Sequence, residues 1–219
     1  VEQAILLLSY CQYFDVLIDV EILAVAEQKN GLFDSVQSVK SPFPHVFVIN
    51  WDDFSHMFDD IDDDGFMDIF VANDHTLNYL WYNEGGKRFV DKGTMSGTAF
   101  SQAGEATVSM SVDFADYNGD GLLDIFVSDD TYCSLYENQG EGVFADKGMP
   151  SGISTKAAQF VGWSSSFIDY DNDGDVDISK TNGALKHLYG QEDQIFENLG
   201  NTKFDDVSLG LGEYFHQEY

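Results

Sequence analysis

The apolar and polar positions of this chain repeat one pattern three times. Nine-residue acidic windows stand at Asp60 to Asp68 (DIDDDGFMD), Asp116 to Asp124 (DYNGDGLLD) and Asp169 to Asp177 (DYDNDGDVD), and their starts lie 56 and 53 residues apart. Behind each comes a run beginning with Ile: IFVAND from Ile69, IFVSDD from Ile125 and the more polar ISKTNG from Ile178. Ahead of each, Phe58, Phe114 and Phe167 lie two positions before the first Asp, and Phe54, Met110 and Trp163 lie six before it. That even spacing predicts a strand with one buried face. A second motif then recurs: LWYNEGGKRFVDKG from Leu80, LYENQGEGVFADKG from Leu135 and IFENLGNTKFDDVS from Ile195. Its shared core is apolar-x-x-Asn, a glycine turn, then Phe and Asp. Each unit therefore predicts strand, acidic loop, strand, turn, strand, glycine turn, strand. A four-stranded meander of about 55 residues is the size of one propeller blade.

The windows suggest their own chemistry. Asp or Asn at positions 1, 3 and 5 of a tight turn aims side-chain oxygens at one point, and Gly65, Gly121 and Gly174 at position 6 permit the bend. Position 7 offers a backbone carbonyl and position 9 a carboxylate. The candidate metal ligands are Asp60, Asp62, Asp64, Phe66 and Asp68; Asp116, Asn118, Asp120, Leu122 and Asp124; and Asp169, Asp171, Asp173, Asp175 and Asp177. An all-oxygen set of this kind suits Ca²⁺, which takes six to eight oxygens in flexible geometry, better than Mg²⁺, which keeps its waters. Zinc would need a local Cys or His cluster. An EF-hand opens in the same way but needs Glu at position 12, where this chain has Val71, Val127 and Lys180. About three calcium ions are expected, one per window.

The phrases "FADYNGDGLLDIFV" and "LYENQGEGVFAD" resemble the FG-GAP/VCBS repeats of integrin α-subunit propellers and related secreted proteins. The resemblance covers roughly residues 51 to 212. It implies an all-β fold, a β-propeller of four-stranded blades, with a calcium ion closed by the Asp at position 9. Three blades are clear, within a blade region of residues 51–219. Residues 1–50 read either as a degenerate fourth blade, with Ile22 to Val25 and Leu32-Phe33 as strands, or as an N-terminal docking segment. Because integrin-like propellers usually close with seven blades, the chain is expected to be a fragment, a partial propeller completed by another chain, or a small ring.

Composition narrows the function. A chain that is 43% hydrophobic and 15% aromatic, with 20 Gly and 3 Pro, builds a β-rich core. With 39 acidic against 10 basic residues the net charge is −29, which argues against nucleic acid and anionic membrane surfaces as partners. The apolar stretches 4–8 and 16–25 are too short or too charged to span a bilayer. Cys11 and Cys133 read either as a disulfide or as two buried thiols. No cleavable signal pattern precedes the repeats, as expected of a mature or truncated form, and millimolar extracellular calcium points to a secreted or cell-surface protein.

No catalytic constellation stands out: G-x-S-x-G, H-E-x-x-H and C-x-x-C are missing, and His45, His56, His75, His187 and His216 are scattered. The expected function is an extracellular calcium-binding module for adhesion, ligand recognition or assembly, not an enzyme. Its partners would be a protein or carbohydrate ligand, or other chains that complete or extend the propeller. The alternative is a propeller-fold hydrolase or lyase acting on polysaccharide, for which Trp51, Trp81 and Trp163 could stack on sugars, although Trp163 reads as core. The insert Lys180 to Asp193, carrying Lys186, His187 and Tyr189, is the candidate recognition loop.

Overall fold

The computed structural model describes the backbone of residues 28–29 and 32–33, then residues 53–130, 132–183 and 191–212. Of residues 1–50, the described part is one antiparallel pair, β1 (Gln28–Lys29) with β2 (Leu32–Phe33). Leu32-Phe33 is thus a strand, whereas Ile22 to Val25 lie outside the described residues.

Three four-stranded antiparallel sheets follow, each a simple meander. The first sheet comprises β3 (Asp53–Asp59), β4 (Asp68–Asn73), β5 (Tyr79–Asn83) and β6 (Phe89–Asp91). In the second, β7 (Ser109–Ala115), β8 (Asp124–Asp129), β9 (Ser134–Asn138) and β10 (Phe144–Asp146) repeat that order. The third holds β11 (Gly162–Ile168), β12 (Asp177–Asn182), β13 (Gln194–Asn198) and β14 (Phe204–Asp206). Every acidic window joins the first strand of a sheet to the second, and every glycine turn joins the third to the fourth. Short helical turns, α1 (Gly93–Ser96), α2 (Gly148–Ser151) and α3 (Ile153–Ala157), carry the chain between sheets. The fold is all-β, with the four strands per unit that the pattern predicts.

The sheets pack face to face through their inner strands: β7 lies against β3 and β4, and β11 against β7 and β8. Strands β4 and β8 are buried along their whole length, which explains why IFVAND and IFVSDD are apolar runs without alternation. In β12 alternate residues emerge, with Thr181 exposed beside buried Lys180, which explains the polar ISKTNG. The first interface gathers Ile61, Phe70, Leu80 and Tyr82 against Val112, Ile125, Tyr136 and Phe144. The second gathers Tyr117, Phe126 and Leu135 against Ile178, Phe196 and Phe204. Ring pairs recur across both: Phe114 meets Phe70 edge-on at 6.5 Å, and Phe167 meets Phe126 at 6.1 Å. Full burial of Phe70 and Phe126 contributes about 1.5–3 kcal/mol each, and the half-buried Phe114 and Phe167 contribute less.

The even spacing ahead of the windows is interrupted. Register shifts fall between Asp53 and Ser55, between Ser109 and Ser111, and between Gly162 and Ser164. Phe54, Met110 and Trp163 are therefore the extra residues of three matching β-bulges, not members of an unbroken alternating face. Met110 is buried, whereas Trp163 is half-buried and donates its indole N–H to Gly183 O at 2.9 Å. Expecting Trp163 in the core overlooked that polar tip. The insert is also shorter than expected. Lys180 to Asn182 belong to β12, and Lys180 is buried; Lys186, His187 and Tyr189 lie outside the described residues.

Candidate metal centres

The window backbone bends twice through the left-handed region. Position 4 has φ of 58° at Asp63, 74° at Gly119 and 63° at Asn172, while position 6 has φ of 88° at Gly65, 87° at Gly121 and 94° at Gly174. Asp and Asn tolerate that conformation as single residues, so position 4 varies in type and position 6 is glycine each time.

Side chains then tie the turn to itself. Asp60 Oδ1 accepts the Asp64 N–H at 2.9 Å and its Oδ2 the Gly65 N–H at 2.8 Å. Asp116 repeats this with Asp120 at 3.0 Å and Gly121 at 2.8 Å, and Asp169 accepts from Gly174 at 3.3 Å. The carboxylate at position 5 accepts the N–H of position 7 in all three: Asp64 from Phe66, Asp120 from Leu122 and Asp173 from Asp175. At position 3, Asn118 and Asp171 accept from Asp120 and Asp173.

Position 9 is a buried anchor. Asp68, Asp124 and Asp177 are each about fully buried, at 1%, 0% and 1% exposure. One oxygen of each accepts the N–H of position 2, from Ile61 at 3.0 Å, Tyr117 at 3.3 Å and Tyr170 at 3.2 Å. The other accepts a backbone N–H from the third strand, from Asn83 at 2.8 Å, Asn138 at 2.8 Å and Asn198 at 2.7 Å. Burial, opposed by these hydrogen bonds, pushes Asp68 up to about 6 and Asp124 up to about 7, and raises Asp177.

Two windows bring carboxylates to one point. Oxygens of Asp60, Asp62 and Asp68 all lie within 4.8 Å of one another, as do those of Asp169, Asp171 and Asp177. Burial, and then the charges of Asp64 and Asp60, raise Asp62. Three carboxylates at this separation repel unless protonated or neutralised, and an all-oxygen donor set fits a hard divalent cation. These residues can therefore hold metal ions. Asp64 and Asp173 stand on the same turns but outside those two clusters. In the middle window Asn118 puts an amide at position 3, and Asp116, Asp120 and Asp124 hold the same hydrogen-bonded turn without forming a three-carboxylate cluster.

A model of the FG-GAP-like repeat family matches residues 60–127 and again residues 116–178. The chain belongs to the FG-GAP-like repeat family. Each match begins on the first Asp of one window and runs through the next, so each spans the last three strands of one sheet and reaches into the opening hairpin of the following one. Membership makes the chain a β-propeller-like repeat module. Among curated proteins, none matches it. No described helix is long and apolar enough to cross a membrane.

Asn83, Asn138 and Asn198 were missed as functional residues. The amide of each donates to the carbonyl at position 8 of its own window, Met67, Leu123 or Val176, at 3.2, 3.1 and 3.0 Å. The Oδ1 of each accepts from the glycine turn, at Gly86, Gly140 or Gly200. Their recurrence in apolar-x-x-Asn was the available signal. Of the cysteines, Cys133 is a buried free thiol and Cys11 lies outside the described residues.

Proposed function

We propose that the chain is an extracellular β-propeller module, calcium-loaded at its aspartate windows, that acts by presenting surface. Its ligand would be a protein, a carbohydrate, or further blades of an assembly, with no catalysis of its own. The observation that carries this reading is the convergence of three carboxylates at two windows, each on a turn whose ninth residue is buried and bound to the third strand. Asp60, Asp62 and Asp68 would hold one ion, Asp169, Asp171 and Asp177 another, and the middle window a third with Asn118 replacing one carboxylate. A bound calcium ion supplies positive charge that neutralises the grouped carboxylates. The chain does the rest: Asp68, Asp124 and Asp177 fix each window to its sheet, so ordering a window orders the first, second and third strands together.

Extracellular modules bind calcium at roughly 10⁻⁴–10⁻³ M, a range filled outside cells and empty in cytosol. That supports an extracellular setting, as does a net charge of −29, which counter-ions and calcium offset. The test is a melting curve in millimolar calcium against one in EDTA, paired with a glycan array and a matched hydrolysis assay. A higher melting temperature in calcium, with binding and no turnover, is expected. Turnover of a bound glycan, or melting indifferent to calcium, contradicts the proposal.

A further inference from the structure

We infer that Asn138 and Asn198 couple the cation windows of neighbouring blades, so that filling one window tightens binding in the next. The inference rests on the calcium reading above and adds to it a regulation that the family assignment does not contain. Each of these side chains serves two windows. Asn198 receives its own blade through the backbone bond to Asp177 and the amide bond to Val176 O at 3.0 Å, and its amide also donates to Tyr117 O of the preceding window at 3.0 Å. Asn138 does the same one blade earlier, holding Leu123 O at 3.1 Å and reaching Ile61 O at 3.5 Å. Both contacts are buried and lie 81 and 77 residues apart in sequence.

The carbonyls reached are those of position 2, the residue whose own N–H is held by the buried Asp of position 9. Position 2 is therefore fixed from both sides, by its own ninth-position carboxylate and by the next blade's amide. A second tie runs beside the Tyr117 link. Tyr117 Oη donates to Glu137 at 2.7 Å, and Thr202 of the third sheet donates to the same Glu137 oxygen at 3.3 Å. The Tyr117 ring also lies 5.7 Å from Phe204.

Ordering the third window fixes Val176 and Asp177, which orient Asn198, which in turn fixes Tyr117 in the middle window. An ion entering the middle window then meets a loop whose conformational freedom is already reduced, which is positive coupling without a change of fold. The factor a single net hydrogen bond carries is about two- to tenfold. The shorter bond makes the coupling between the middle and third windows stronger than that between the first and middle.

The test is calorimetric titration of calcium into the full chain and its variants. Asp171→Ala disables the third window through an exposed side chain. It is expected to remove one ion and to weaken the middle site about two- to tenfold. In the Asn198→Ala background the same substitution should weaken the middle site by less than about twofold. Reciprocity requires Asp120→Ala to weaken the third window by the same factor as Asp171→Ala weakens the middle one. Should Asn198→Ala melt too early to titrate, Asn198→Asp keeps the acceptor for Gly200 and removes the amide donors, and gives the same comparison. A middle site that keeps wild-type affinity in Asp171→Ala overturns the coupling. So does a weakening that persists undiminished without the Asn198 amide. Absence of calcium uptake by the wild-type chain is a different result, and overturns the calcium reading itself.

Discussion

A Cβ built on Gly162 would stand 2.3 Å from Cε of Lys180 and 3.3 Å from Asp129 O. Gly162 opens β11 in the place held by Ser109 in β7, and Lys180 occupies in β12 the place of Val127 in β8. The two positions fit together: the long Lys180 side chain fills the space that a side chain at position 162 would need. Lys180 cannot swing aside cheaply, because its Nζ donates to Asn182 Oδ1 at 2.6 Å, Phe160 O at 3.1 Å and Gln194 Oε1 at 3.3 Å. Gly162→Ala is therefore expected to destabilise by about 1–3 kcal/mol, the usual cost of overpacking. Adding Lys180→Val should recover part of that loss. Urea unfolding of both variants checks it, and a double variant less stable than Gly162→Ala contradicts the pairing.

Asp120 and Asp124 share a window but should fail differently. Asp120 is exposed, and its side chain accepts the Leu122 N–H. Asp120→Ala should remove one calcium ion and leave metal-free stability within about 0.5 kcal/mol of wild type. Asp124 is buried and accepts N–H groups of Tyr117 and Asn138. Asp124→Ala strands both donors and should cost about 2–4 kcal/mol even in EDTA. Denaturant melts with and without calcium separate the two effects; equal losses in EDTA would refute the distinction.

The pH dependence of the metal-free protein follows from the same buried carboxylates. Burial raises Asp124 to about 7 and Asp68 to about 6, and raises Asp177, all above the ordinary 3.8. A carboxyl raised on folding contributes stability that is complete below its unfolded value and is lost as pH rises through the folded one. In EDTA the melting temperature should therefore fall between about pH 4 and pH 7 and level off above that, while the gain on adding calcium, which binds the ionised form, should grow over the same interval. Calcium stabilisation that is flat across that range contradicts this.

The repeat and the windows were legible because metal chemistry and strand periodicity both write short, fixed spacings. Position 6 glycine, positions 1 and 3, and the Phe two places before each window carried nearly all of the blade register. The bulges at Phe54, Met110 and Trp163 were not legible, since a bulge keeps the same residue types and shifts only which partner each one opposes. Asn198 escaped for another reason. Its two carbonyl acceptors, Val176 and Tyr117, are backbone atoms 22 and 81 residues away, and backbone acceptors leave no mark in sequence. Lys180 misled in the opposite direction: a lysine beside polar residues reads as surface, and its burial depends on the carbonyl of Phe160 and the space beside Gly162.

The central claim is that cations sit in the aspartate windows and hold the blades in shape. A diffraction map from crystals grown in millimolar calcium tests it most directly. Density with calcium's anomalous signal should appear about 2.3–2.6 Å from oxygens of Asp60, Asp62 and Asp68, and of Asp169, Asp171 and Asp177. Windows filled by water alone, or carboxylates turned away from one another under those conditions, would contradict it.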